Sequence, residues 1–224
     1  MRVVRPLLVA AVATVSLATA GAPAMADDPV DVAVLTLGSL GGPAAAVGDV
    51  LTATVAAGTT ADFATAAGGS TGIKCAQSSF TSSVVDNPVA PGVATESTTD
   101  QRFASCTANI FGVTRVNSVT VNNTPFQTTV DSTGVVTVSG TPELPIKTTL
   151  SLGTILGSVT CVYTATNGSI TGSVVNDNNS INFVDQPFTK SAGPITCPGS
   201  GFFTASYSPV LDTTVEGSPA VFTN

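Results

Sequence analysis

The sequence predicts an all-β fold, a disulfide-bridged antiparallel β-sandwich of immunoglobulin-like (Ig-like) or related type. Three observations lead there. Val, Thr and Ile alternate with polar residues at period two rather than at the 3.6-residue period of a helix. Fourteen prolines and 21 glycines, scattered throughout, leave no window for a long helix after the first 26 residues. Four cysteines, an even number, follow what reads as an export signal, so they belong to an oxidising destination.

The signal comes first. Arg2 and Arg5 form a positive start, Leu7 to Ala20 an uncharged apolar run, and Gly21 and Pro23 break it. Ala24-Met25-Ala26 is then a small-x-small cleavage site before Asp27. The expected domains are therefore a signal peptide, 1–26, and a secreted region, 27–224. The apolar run is too short to span a bilayer comfortably, and no later stretch reaches 18 apolar residues. No transmembrane segment is expected after cleavage, and the expected location is extracellular. The two arginines are separated by two valines, so the twin-arginine export pair is absent.

Leu51-Thr52-Ala53-Thr54-Val55 places apolar side chains on one strand face and hydroxyls on the other. Val119-Thr120-Val121, Val136-Thr137-Val138 and Thr160-Cys161-Val162-Tyr163 repeat the pattern. Asn122-Asn123-Thr124-Pro125, Asp131-Ser132-Thr133-Gly134 and Asn176-Asp177-Asn178-Asn179 read as turns, and Asn167-Gly168 as a two-residue hairpin. About ten short strands at roughly ten-residue spacing suit a sandwich or a barrel. A seam is expected near 140–145, where Pro142 and Pro145 bracket a short extended piece. One domain or two remains open.

The expected bridges are Cys75–Cys106 and Cys161–Cys197. Ile73-Lys74-Cys75, Ser83-Val84-Val85, Gln101-Arg102-Phe103 and Cys106 are echoed further on. The echo is Val159-Thr160-Cys161, Ser173-Val174-Val175, Gln186-Pro187-Phe188 and Cys197. This reads as a degenerate internal duplication, each copy keeping its own bridge. Chance similarity in a Thr/Ser/Val-rich chain is the alternative. The cysteine intervals are too long for a zinc site.

Composition excludes several function classes. From Asp27 onward the chain carries 14 acidic and 5 basic residues, a formal charge of −9. Nucleic acid is not an expected partner, because phosphate binding needs clustered Lys or Arg. With no histidine, Ser-His-Asp and Cys-His nucleophiles are absent. Gly68-Gly69-Ser70-Thr71-Gly72 matches the nucleophile-elbow pattern but lacks both its histidine and its helix, so it reads as a turn. Lys74, Lys147 and Lys190 are candidates for an internal isopeptide bond; with two bridges already expected, that bond is not. Glu96, Asp100, Glu143, Asp185 and Glu216 are the only candidates for paired-carboxylate catalysis. Nothing in their spacing pairs them, so no catalytic residue, cofactor or metal is expected. Asn176–Asn179 with Asp185 offers oxygen ligands for calcium, but Asn and Asp also simply make turns. Asn122, Asn167 and Asn178 each begin an Asn-x-Ser/Thr triplet.

Several stretches carry a resemblance. They are Thr120-Val121-Asn122-Asn123 leading into Val130-Asp131-Ser132-Thr133-Gly134, then Thr160-Cys161-Val162-Tyr163. Pro187-Phe188-Thr189-Lys190-Ser191 and the ending Gly217-Ser218-Pro219-Ala220-Val221-Phe222 complete them. Together they resemble a group of small exported actinobacterial β-rich proteins, often labelled as twin-arginine pathway signal sequence domain proteins. The resemblance implies export and a disulfide-bearing β-fold, and it brings no activity or ligand.

The expected function is a non-catalytic secreted binding or structural module, its partner an extracellular protein, a glycan or a small molecule. One alternative is a small-molecule carrier with an apolar cavity lined by some of the ten phenylalanines. Another is a protease inhibitor presenting Pro198-Gly199-Ser200-Gly201 beside Cys197.

Overall fold

Alternation of small apolar and hydroxyl side chains is what makes this chain strand throughout. In the computed structural model, residues 31–224 are described and contain no α-helix. The predicted signal segment, 1–26, lies outside the described residues. The first strands are β1 (Leu35–Leu37), β2 (Val50–Thr54), β3 (Ala61–Ala64), β4 (Gly72–Asp86) and β5 (Val93–Ala108). Next come β6 (Val113–Asn122), β7 (Phe126–Asp131), β8 (Val135–Ser139), β9 (Lys147–Thr154) and β10 (Gly157–Ala165). Then follow β11 (Ser169–Val175), β12 (Ser180–Ala192), β13 (Ser200–Tyr207), β14 (Leu211–Asp212) and β15 (Val221–Thr223).

The expected sandwich is corrected by the pairing. Eight strands close on one another in the order β11-β8-β7-β5-β4-β3-β13-β12, and a β11–β12 ladder completes an antiparallel barrel. Two facing sheets would leave edges; here the eight-strand ring has none. Closure depends on β4, β5 and β12, which at 15, 16 and 13 residues are far longer than the short strands expected. Register shifts at Thr81/Ser82 and Val84/Asp86 on β4, and at Phe183/Gln186 on β12, bend them around the axis.

The long strands span two levels. At the upper level β7, β8 and β11 complete the wall, and β2 takes the place of β3 beside β4. At the lower level β12 pairs with β10, and β9 and β6 continue outward. β6 forms no ladder with β5. The connections 123–125, 140–146 and 166–168 carry the chain between levels, so the predicted seam is the β8–β9 crossover. Each level has its own core, one around Val34, Leu51, Val136 and Tyr207, the other around Ile73, Leu150, Cys161 and Tyr163. The β1–β15 ribbon seals the top with Val34, Leu35 and Val221.

Cys75 is bonded to Cys106, its direct cross-strand partner on β5, and Cys161 to Cys197. The Asn167-Gly168 hairpin is a second correction. β10 and β11 both run antiparallel to β12 and do not pair with each other, so this turn interrupts one long strand path instead of reversing it.

Candidate functional site

Inside the barrel, where the two cores meet, lies a cavity of about 100 Å³. Strand alternation builds it. On β5 the inward residues are Ala94, Glu96 and Thr98; on β7 they are Phe126, Thr128 and Val130. Seven of the ten phenylalanines line the space, namely Phe63, Phe80, Phe103, Phe126, Phe183, Phe188 and Phe203. Several meet edge to face, as Phe63 does with Phe188 and Phe103 with Phe203. An engineered apolar cavity of comparable size accommodates a benzene ring.

One carboxyl enters this apolar wall. Glu96 is buried, opposite Val84 on β4 and Thr128 on β7. Its polar neighbours are hydroxyls: Ser82 hydrogen-bonds its carboxyl, and Thr98 Oγ1 donates to Ser82 Oγ (3.3 Å). The Thr98 and Thr128 hydroxyls are 2.7 Å apart. Among the described residues, no Lys or Arg lines the cavity. Burial therefore pushes the Glu96 carboxyl up to about 7, against a smaller downward pull from Ser82. A second polar group lies on the same wall. The Tyr207 hydroxyl is 2.8 Å from Ser78 Oγ, and Gln101 Nε2 donates to both at 2.9 Å. Burial raises Tyr207 to about 12, so its hydroxyl keeps its proton.

Phe103 stands between this interior and the outside. It also lines a shallower outer depression of about 510 Å³ floored by Gln77, Ser78, Ser79 and Ala104.

The remaining predicted candidates are dispersed. Asp100 is ion-paired with Arg102. Glu143 and Glu216 are exposed on connections, and Asp185 accepts from the Gly68 N–H at 3.0 Å. Of the five carboxylates, only Glu96 faces the cavity; Asp62, also on its wall, is ion-paired with Lys74. The calcium ligand set does not assemble. Asn176 and Asn179 bond the β15 backbone at Thr223 and Val221, while Asp185 lies further along β12, held at the Gly68 turn. The candidate inhibitory loop is taken into the sheet. Pro198 O accepts from Tyr163 Oη, Gly199 O from Lys190 N, and Ser200 and Gly201 begin β13. Sequence reasoning also missed a buried pair, Asp49 and Asp212, at the upper rim. Burial, and then its neighbour Asp49, raise the Asp212 carboxyl.

Comparison with known proteins adds no relative. No family model, curated protein or solved structure matches this chain. The functional reading therefore rests on the cavity and its single unpaired acid.

Proposed function

We propose that this is an exported, non-catalytic binding protein that holds one small, largely apolar molecule inside its barrel, with Glu96 as the polar anchor. This develops the carrier alternative of the sequence reading. The observation that carries it is a carboxyl buried among phenylalanines with only hydroxyls beside it. A core residue serving stability alone would be apolar here, since burying a carboxyl costs several kcal/mol unless it is neutral or paired.

Neutral Glu96 is a hydrogen-bond donor facing an apolar space. The ligand it suits is a ring or short chain with one carbonyl or hydroxyl oxygen, small enough for about 100 Å³. Phe103, between the cavity and the outer depression, is the side chain that must swing aside for exchange. The absence of a paired carboxylate or a histidine near Glu96 supports binding over hydrolysis. The signal-like start, the bridges and the resemblance to exported proteins support an extracellular setting.

Mass spectrometry of the secreted protein under native and then denaturing conditions tests the reading. An added mass that disappears on denaturation is expected. Repeated recovery of an empty chain, together with no uptake of small aromatic ketones or alcohols, would overturn it. Binding should weaken as pH rises through about 7, where Glu96 loses its donor proton. Glu96→Gln should keep binding and lose that pH dependence. An amine-bearing ligand, which favours the carboxylate, would show the opposite trend and refute the assignment of the donor.

A further inference from the structure

The lower end of the barrel is unlike the rest of the surface. Its four connections are 65–71, 109–112, 155–156 and 193–199, and none contains a charged residue. The upper end, by contrast, gathers Asp49, Asp86, Asp131, Asp177, Asp212 and Glu216 without a single Lys or Arg among the described residues. From Asp27 onward the chain carries a formal charge of −9, yet none of its carboxylates belongs to these connections; Asp185, on β12, reaches one of them by accepting from Gly68 N.

Large apolar side chains occupy that end. Phe111, Leu156 and Ile195 are each more than nine-tenths exposed, and Ile155 is 75% exposed. Each sits on a different connection or turn position, and each tip is held. Ile155 N donates to Gly112 O at 3.3 Å, joining the Phe111 loop to the Ile155-Leu156 turn. Asn109 braces the Phe111 loop, accepting from Gly72 N and donating to Ser70 O. Thr154 Oγ1 donates to Gly157 O beneath the turn. The Ile195 loop is fastened by Cys161–Cys197 and by Lys190 Nζ, which donates to Pro194 O and Cys197 O.

Such side chains, held outward on braced backbone, are not scattered surface residues. They are carried on three separate connections, spaced contacts suited to a soft, penetrable partner more than to a packed protein interface. Backbone groups satisfied within the tips lower the cost of leaving water. Arg115, three residues beyond Gly112 and lying over Gly153, is placed beside the tips where lipid phosphates would lie.

We infer that this end docks on a lipid bilayer, with Phe111, Ile155, Leu156 and Ile195 entering the interface and the acidic end facing away. The inference does not depend on the cavity's having a ligand.

Flotation with vesicles of phosphatidylcholine mixed with phosphatidylglycerol tests it, using the chain from Asp27, which contains the whole compact unit Asp31–Asn224. The protein should float with the vesicles. Phe111→Ser and Leu156→Ser should each weaken partitioning roughly tenfold, and the double variant roughly a hundredfold. Both side chains are exposed, so the variants should keep the parent's circular dichroism and melting temperature. No flotation of the parent, or undiminished flotation of the double variant, overturns the inference. So does a lipid-free dimer, seen by light scattering, that the double variant abolishes while vesicles bind neither form.

Discussion

Two long hairpins, Gly72–Ala108 and Gly157–Ala192, build opposite parts of the wall, and they solve the same problem differently. In the first, β4 runs unbroken along β5. In the second, β10 and β11 share the length of β12, with Thr166–Gly168 between them. At the break, Thr171 N donates to the Gln186 side chain at 2.7 Å, opposite the register shift on β12. Gly168 O accepts from Gly140 N, the start of the β8–β9 crossover. The break therefore gives the crossing chain a place to bond. A barrel wall needs strand length and satisfied backbone groups, and it tolerates interruption where a side chain or a neighbouring chain supplies the missing partner.

The largest expected effect that sharpens this comparison is loss of a bridge. The two disulfides span 31 and 36 residues, so chain entropy gives each about 4 kcal/mol. Cys75–Cys106 joins residues the β4–β5 ladder already holds, whereas Cys161–Cys197 fastens a loop. Urea unfolding of Cys75→Ser/Cys106→Ser and of Cys161→Ser/Cys197→Ser should show similar losses. Hydrogen exchange should show extra opening confined to 193–199 in the second variant alone; matching exchange in both would erase the distinction.

The next effect belongs to Glu96 on β5; the echo that sets Gln101 against Gln186 puts the apolar Ile181 at the corresponding place on β12. Its carboxyl ionises near 4.5 when unfolded and at about 7 in the barrel. Its proton is held more tightly by the folded state. The stabilisation is therefore complete below pH 4.5, declines as pH rises to about 7, and is level above that. The change is about 3 kcal/mol. Melting curves across this range should show the decline in the parent, and Glu96→Gln should flatten it.

Smaller effects test how each hairpin is packed. A Cβ on Gly201 would fall 2.1 Å from the Phe63 ring, so Gly201→Ala should cost about 1–3 kcal/mol in denaturant titration. Gly168, with φ of +72°, is the residue that makes the break, and the space around it is open. Gly168→Ala should cost about 1–2 kcal/mol through backbone strain alone. A neutral result there would mean the break bends freely.

Local chemistry and the two bridges were legible in the sequence, and which distant strands pair was not. The Val-Thr alternation of β2, β6, β8 and β10 and the turns at Asn122–Pro125 and Asp131–Gly134 are properties of a few adjacent residues. Closure depends on Ala61–Ala64 meeting Phe202–Thr204 and on Val135–Ser139 meeting Ser169–Ser173, contacts with no local signature. Asn167-Gly168 has hairpin chemistry, but which strands flank a turn is decided by what they pair with. Glu96 was visible only as one of five acidic candidates, with nothing in their spacing to set it apart. The useful sign was its sharing an alternating face with Ala94 and Thr98, which points it inward.

The ribbon that seals the top has a mechanical meaning. Leu35 pairs with Thr223 and Leu37 with Val221, antiparallel, so Val34 and Asn224 lie side by side. Force applied between those two points loads the hydrogen bonds one after another rather than together. The seal would peel at low tension while the closed ring beneath it resists, and the first step on stretching would be an uncorked barrel, not an unravelled one.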